Sequence, residues 1–433
     1  MNKNLYYILF LVLLASSEFT KLLQAKILKY DDIKTFINSD HHLLKSKKLE
    51  ISRSKVQLDL TERLRHVPDF DITSGYESFS SPILENNNSA YIFAEARFNI
   101  YKGGIDGLNS KKNDIRLDLA KLNFQQARKR LRFTAANYFW QAITKSKEIE
   151  LLESNQKDLK SLERLIQAKV SSGIVPRSEL SFLELSKLSM ETMTIDTRHQ
   201  LSNLKHILSF LLAIESQEAL TLDKSQSLET DSLSSDQQHQ TDNLDSIEII
   251  EKQLEAIKIE KDTIKANLRP RLDMYGSYGQ NRYQDREFTS SSDRLEGVFG
   301  LRLTIPISPY ITNQQKNMVK SLELNQLEAN LNEIKVSTNH RKKLILQIIR
   351  DKKDQLNRSS TKLAKVNSAI TVVRREFQRG IRDSKDLLTL YEEKTLMQIT
   401  AIRSQGKLRT LMECLAHIEV GECSIDALAK AYQ

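Results

Sequence analysis

The sequence predicts a mainly α-helical protein with a small membrane β-barrel portion, built from a duplicated unit of strand hairpin and long helix. Three observations predict it. Breakers are scarce and clustered, with 12 Gly and 6 Pro in 433 residues. The long stretches between the clusters carry apolar residues at helical spacing, while short stretches at the clusters alternate with period two. Both kinds of stretch then recur: Pro68 matches Pro270 at an offset of 202, and Gly173 matches Gly380 at an offset of 207.

The helical stretches come first. Over 110–170 the apolar positions Leu131, Ala135, Tyr138, Ala142, Ile149, Leu152, Leu159, Leu162, Ile166 and Val170 recur mostly at steps of three, four or seven. A helix from Asp106 to Val170 is ~100 Å long at 1.5 Å per residue, too long for a lone globular core. It needs helical partners along its length, and a three–four stripe supplies them. The stretch 315–378 repeats the pattern through Leu324, Leu327, Leu331, Ile334, Ile345, Ile349, Leu356, Leu363, Val366 and Ile370. Composition agrees: 39% hydrophobic and 28% charged residues suit long solvated helices. The net charge of +9 is spread through alternating acids and bases. No basic block is interleaved with aromatics, which argues against a nucleic-acid partner.

Four segments read as strands. "PDFDITSGY" (68–76) sets Phe70, Ile72 and Tyr76 against Asp69, Asp71 and Thr73. "YIFAEARFNI" (91–100) sets Ile92, Ala94, Ala96, Phe98 and Ile100 against Glu95 and Arg97. "PRLDMYGSY" (270–278) and "GVFGLRLTIPI" (297–307) alternate in the same way. One apolar and one polar face is what a membrane strand around a polar lumen requires, and also what a half-buried soluble sheet requires.

The amino terminus bears on the choice, read as a signal peptide or, alternatively, as a retained membrane anchor. "LYYILFLVLLA" (5–15) is a short apolar run after one lysine, followed by small residues. This is the pattern of a secretory signal peptide, cleaved after Ser17 or, preferably, after Ala25. Beyond it no segment is apolar enough for a membrane helix, so a membrane-embedded protein must use strands. The only cysteines, Cys414 and Cys423, are able to pair locally in an exported chain.

The expected organisation is therefore a signal peptide (1–25), a first repeat (26–215), a polar linker or loosely ordered equatorial belt (216–244), a second repeat (245–420) and a tail (421–433). Each repeat reads helix, strand, loop, strand, long helix, Gly break, helix. Four strands cannot close a membrane barrel, and open edges are forbidden in lipid. Closure requires several copies, and three give twelve strands.

With these features the chain resembles the TolC family of outer-membrane efflux and secretion channels. The resemblance rests on the duplicated order and on two turn motifs. "FNIYKGG" (98–104) closes the second strand where the family has Pro-Leu-aromatic-x-Gly-Gly, with Asn99 in place of the proline; Pro306 keeps it in the second repeat. The break Gly-x-x-x-x-x-Asp/Glu-Leu occurs at 173–180 and 380–387. The resemblance implies a homotrimer in the outer membrane, with a twelve-stranded barrel continued by a long periplasmic α-helical barrel. It implies as partners a periplasmic adaptor protein and an inner-membrane transporter, passive conduction of small molecules or secreted polypeptides, and no cofactor and no covalent chemistry.

It also places functional residues. Gly173, Ile174, Gly380 and Ile381 would form periplasmic turns that contact the adaptor. Gly tolerates the positive φ of a helix end, Asp383 is placed to N-cap the returning helix, and Pro176 suits a first helical turn. In the family an acid six positions after the first Gly bonds an arginine two positions after the second, here Glu179 and Arg382. An aromatic hydroxyl shares that lock, but Phe377 stands at its position and has none. Acidic rings six and nine positions after the second Gly line the entrance; Asp386 matches the first and Thr389 replaces the second.

Two other readings compete. An enzyme lacks support: there is no HExxH, CxxC or P-loop pattern, "GGIDG" (103–107) lacks dinucleotide-binding spacing, and "HH" (41–42) reads as a surface pair. A periplasmic coiled-coil scaffold without a barrel explains the helices but leaves the four alternating segments without a role.

Overall fold

The structure is a computed structural model that describes residues 26–38, 41–79, 87–214, 220–223, 225, 226, 228, 245–285 and 291–418. The expected signal peptide, most of the linker, the tail and Cys423 lie outside the described residues. The elements are β1 (Lys26–Leu28), α1 (Asp32–Phe36), a 3-10 turn (His42–Leu44), α2 (Lys45–Leu64), β2 (Asp69–Phe79), β3 (Asn87–Tyr101), α3 (Ile105–Ser171), α4 (Ser178–Leu211), β4 (Leu220–Leu222), α5 (Asp245–Ala266), β5 (Arg271–Asp285), β6 (Ser291–Thr304), α6 (Ser308–Gln378) and α7 (Ser384–Ala416). The order of elements expected for each repeat is present twice. No helix among the described residues is long and apolar enough to cross a membrane.

The chain folds into two compact units, each drawing on both repeats. One gathers the parts within 46–125 and 243–335, the other the parts within 1–45, 126–242 and 336–433.

The first unit contains a four-stranded antiparallel sheet in the order β2-β3-β5-β6. The two hairpins are thus joined edge to edge, β3 pairing with β5. The register lines up the alternating faces that the sequence shows strand by strand. Ile72 faces Ala94, Ala94 faces Tyr278, and Tyr278 faces Gly297. Phe98 faces Met274, which faces Leu301. One face of the whole sheet is therefore apolar, because directly opposed residues share a face. On the other face lie Asp71 opposite Glu95 and Asp273 opposite Arg302.

Every glycine of these strands faces an aromatic ring across the ladder: Gly75 and Tyr91, Gly276 and Phe299, Gly279 and Phe93, Gly297 and Tyr278, Gly300 and Tyr275. A ring laid over the bare backbone covers what the glycine leaves open. Among the described residues no strand pairs with the outer edge of β2 or β6.

The strands outrun their sequence signal. The expected segments 91–100 and 270–278 extend to 87–101 and 271–285. Polar residues such as Asn281 and Gln284 continue the ladder, and hydropathy does not mark them. In the "KGG" turn, Gly103 has φ +69°, and a Cβ there would lie 2.7 Å from the Ala266 carbonyl. Arg269 Nη1 donates to the Gly103 carbonyl at 3.2 Å.

The second unit is helical. Leu152, Leu159, Leu162 and Ile166 of α3 pack with Leu183 and Met190 of α4, Val366, Ile370 and Phe377 of α6, and Leu387, Leu388, Tyr391 and Ile399 of α7. The expected stripes supply the α3 side of this core and Val366 and Ile370 of α6; the returning helices α4 and α7 and Phe377 supply the rest. Buried polar groups of this unit include paired ones: Asn155 Nδ2 donates to Thr395 Oγ1 at 2.9 Å, and the buried Glu148 accepts from Arg403 Nε and Nη2, both at 3.0 Å. Gly406 lets α7 approach α3, since a Cβ there would fall 2.1 Å from Thr144 Oγ1.

One expectation is corrected in this unit and another gains detail. Within the segment read as a polar linker or equatorial segment, Leu220–Leu222 pairs in parallel with Lys26–Leu28, and Leu28, Leu220 and Leu222 are buried. Two leucines, Leu220 and Leu222, are too few to stand out in a Ser- and Gln-rich run. His41 is not a surface residue. It is buried, stacks on His42 at 4.6 Å, and accepts from the Leu43 amide through Nδ1. Burial and the neighbouring His42 hold its imidazole below the usual histidine range.

Candidate functional site

The two glycine breaks are helix reversals with the same backbone geometry. Gly173 ends α3 at φ +68°, and Gly380 ends α6 at φ +79°. At the first, Gly173 N donates to Val170 O at 3.0 Å and Ile174 N to Lys169 O at 3.0 Å. At the second, Gly380 N donates to Phe377 O at 3.0 Å and Ile381 N to Glu376 O at 2.9 Å. These paired bonds are the Schellman motif, which satisfies the last helix carbonyls and needs a left-handed residue, hence glycine. The residue after each glycine, Ile174 or Ile381, is exposed.

The returning helices start differently from expectation. Helix α4 begins at Ser178, so Pro176 precedes it; the Pro176 carbonyl accepts from Glu179 N at 3.2 Å. Asp383 occupies the N-cap of α7 with φ −82° and ψ 156°, but its side chain makes no cap bond. The cap comes from the other repeat. Glu179, buried at 7% exposure, accepts from Ser384 N at 3.0 Å and from Ser384 Oγ through the same oxygen.

This changes the partners expected for the gate residues. Within one chain Glu179 pairs with Ser384, not with Arg382. Arg382 is exposed and pairs inside its own turn, with Asp386 at 2.9 Å and Glu376 at 3.3 Å. Asp386, with Glu376 behind it, holds the guanidinium above its usual range. The physical reason is placement. Glu179 faces the positive end of α7, where a carboxylate is stabilised by the free amides. Arg382 projects from the turn, and a carboxylate one helical turn away is within its reach.

Phe377 is fully buried, at 0% exposure. Lys169 Nζ donates to its backbone carbonyl and lies 4.8 Å from its ring centroid. Thr389 is exposed, its hydroxyl donating back to Lys385 O at 2.9 Å.

Lys169 and Ser384 are therefore the residues that sequence reasoning missed. A signal existed for the lysine, since it stands three positions after Ile166 and continues the inward stripe. Ser384 carried no local signal, because its partner is 205 positions away.

Solved structures share the architecture. The chain matches the outer-membrane channel OprN with a TM-score of 0.76 at 13% identity, covering 91% of this chain and 90% of that one. It matches the outer membrane protein VceC of Vibrio cholerae with a TM-score of 0.73 at 12% identity, covering 91% and 97%. The CmeC outer membrane channel of Campylobacter jejuni matches with a TM-score of 0.70 at 13% identity, covering 93% and 88%.

The chain has the fold of the TolC-type outer-membrane efflux channels. No protein-family model matches it, and no curated protein matches it by sequence. At such low identity the likeness concerns the fold, and the side chains at the reversals are this chain's own.

Proposed function

We propose that the protein is an outer-membrane channel that passively conducts solutes or polypeptides out of the periplasm. The observation that carries this reading is the sheet. Its register unites four apolar faces, and side chains such as Phe70, Ile72, Phe299 and Leu303 are 65–79% exposed on it. A large apolar face on a soluble monomer is a liability. Against lipid it is the required surface, with the polar face turned to a water-filled lumen. No described strand pairs with the outer edges of β2 and β6, so in lipid they call for further copies, and three copies close a twelve-stranded barrel. The stripe of α6 favours the same arrangement: Leu324, Leu327, Leu331 and Ile334 are only half-buried in one chain.

In this reading the two reversals of each chain form the periplasmic entrance, with exposed Ile174 and Ile381 offered to an adaptor that links an inner-membrane transporter. Asp386 makes a ring of acids favouring cations, and Thr389 lines it further in. Arg382, paired with Asp386 in the single chain, sets how much of that charge is free, and so biases closure. Such an exposed, solvent-screened pair is weak enough for a docking partner to overcome.

Membrane extraction and conductance test the proposal. The protein should require detergent, run as a heat-sensitive oligomer, and form channels in planar bilayers. Release by salt alone, with no conductance, would overturn it. Loss of divalent-cation block in Asp386→Ala is the expected sign of the entrance ring.

A further inference from the structure

The described parts of the amino-terminal segment, 26–38 and 41–44, tie helices of the second unit together far in sequence from both reversals. Strand β1 pairs with β4, which follows α4. Arg132 Nη2 of α3 donates to the Lys34 and Ile37 carbonyls, both at 3.2 Å. Tyr30 packs on Phe139 and Trp140 of α3 and donates to Glu413 Oε1 of α7 at 2.6 Å. A further tether is the 3-10 turn against the end of α4. His42 meets Phe210 edge-on at 5.9 Å, and His41 lies beside the Leu211 backbone.

His41 holds this turn by a bond that a proton would break. It is 5% exposed and caps the turn, its Nδ1 accepting from Leu43 N at 3.3 Å. An accepting nitrogen is bare, so the neutral ring carries its proton on Nε2. That Nε2 is buried and makes no hydrogen bond of good geometry. The imidazolium would lose the Leu43 bond, because both of its nitrogens donate. It would also be a poorly compensated buried charge, stacked on His42 at 4.6 Å. From its own turn His41 faces His42, which titrates; from the end of α4 it faces Leu211, which does not. Burial and His42 oppose the charged ring, and the Leu211 backbone favours it more weakly.

We propose that His41 is an acid-operated latch: when it takes up a proton, the turn 42–44 leaves the end of α4 and slackens the tie between the amino-terminal segment and the first hairpin. Above about pH 6.5 neither the docked nor the released ring is charged, and the latch has its full strength. Below that pH the released ring binds a proton that the docked ring refuses. Release then gains up to about tenfold per pH unit, the limit for one proton. The latch needs no pore, so it stands or falls separately from the channel reading.

Hydrogen exchange of the full-length protein in detergent, corrected for intrinsic rates, tests it. Peptides covering 41–44 and 208–212 should lose protection by roughly tenfold between about pH 7.5 and about pH 5.5, while 152–166 of α3 holds steady. His41→Asn keeps an acceptor for Leu43 N and has nothing to titrate, so the pH dependence should vanish. Constant protection at 41–44 in the native chain, or the same pH dependence in His41→Asn, would overturn the latch. Should His41→Asn fail to fold, His42→Gln decides. It removes the neighbouring charge and leaves the larger influence, burial, in place. The pH dependence should therefore persist at reduced size; its loss would place the titration on His42 and overturn the proposal.

Discussion

The two helix reversals have one backbone and two chemistries. Both carry a left-handed glycine and the same pair of Schellman bonds. Yet the equivalent acids differ: Glu179 is buried on a helix end of the other repeat, whereas Asp386 is exposed and holds an arginine four residues away. The equivalent apolar positions differ too, for Phe377 is fully buried and Val170 only partly. The difference teaches that duplication preserves what the local sequence encodes, the turn. What each side chain does depends on which hairpin lies against it. One acid becomes structural and the other stays available for function.

The largest expected effect breaks this comparison at the core. Phe377→Ala should cost about 3–5 kcal/mol, the range for emptying a buried aromatic site, whereas Val170→Ala should cost about 1 kcal/mol. Denaturant unfolding followed by helical circular dichroism measures both. Equal losses would mean that the two reversals share the burden of packing.

Next in size are the acids. Glu179→Gln should lose about 1–3 kcal/mol, since it weakens a buried charged acceptor with two donors. Asp386→Asn should stay within about 0.5 kcal/mol, as exposed substitutions do. A similar loss in both variants would contradict their different burial.

The glycines should behave alike. Nothing lies within 4 Å of a Cβ built on Gly173 or Gly380, so alanine is penalised only by its backbone. Each Gly→Ala change should cost about 1–2 kcal/mol. A markedly greater cost at one site would show that the turns differ beyond their backbones.

Arg382→Ala should likewise change stability little, and less still at high salt, because its pairs are exposed. Its expected readout is conductance, tested by single-channel recording at low and high ionic strength.

Much of the architecture was legible because it is periodic. The stripes of α3 and α6 mark their own helices over many turns, and a single glycine in each run marks its end. Alternation marked four strands but not their full lengths, since polar residues such as Asn281 and Gln284 pair in the ladder without an apolar side chain of their own to mark them. Segments of three residues, such as β1 and β4, carry too few positions for a period to register. His41 looked like half of a polar pair, because nothing nearby in the sequence reports that the chain buries it.

The sequence by itself determined the repeat, the order of helices and strands, and the placement of the reversals at Gly173 and Gly380. These follow from local propensity and spacing, which act over a few residues. The tertiary structure alone decided that β3 joins β5, so that two separate hairpins present one apolar face. It alone decided that Glu179 caps Ser384 rather than reaching Arg382, and that Lys169 is spent on the carbonyl of Phe377. Those choices join groups 205 or 208 positions apart. They depend on which helix ends and which apolar surfaces the packed chain brings together, and that information is absent from any short window of residues.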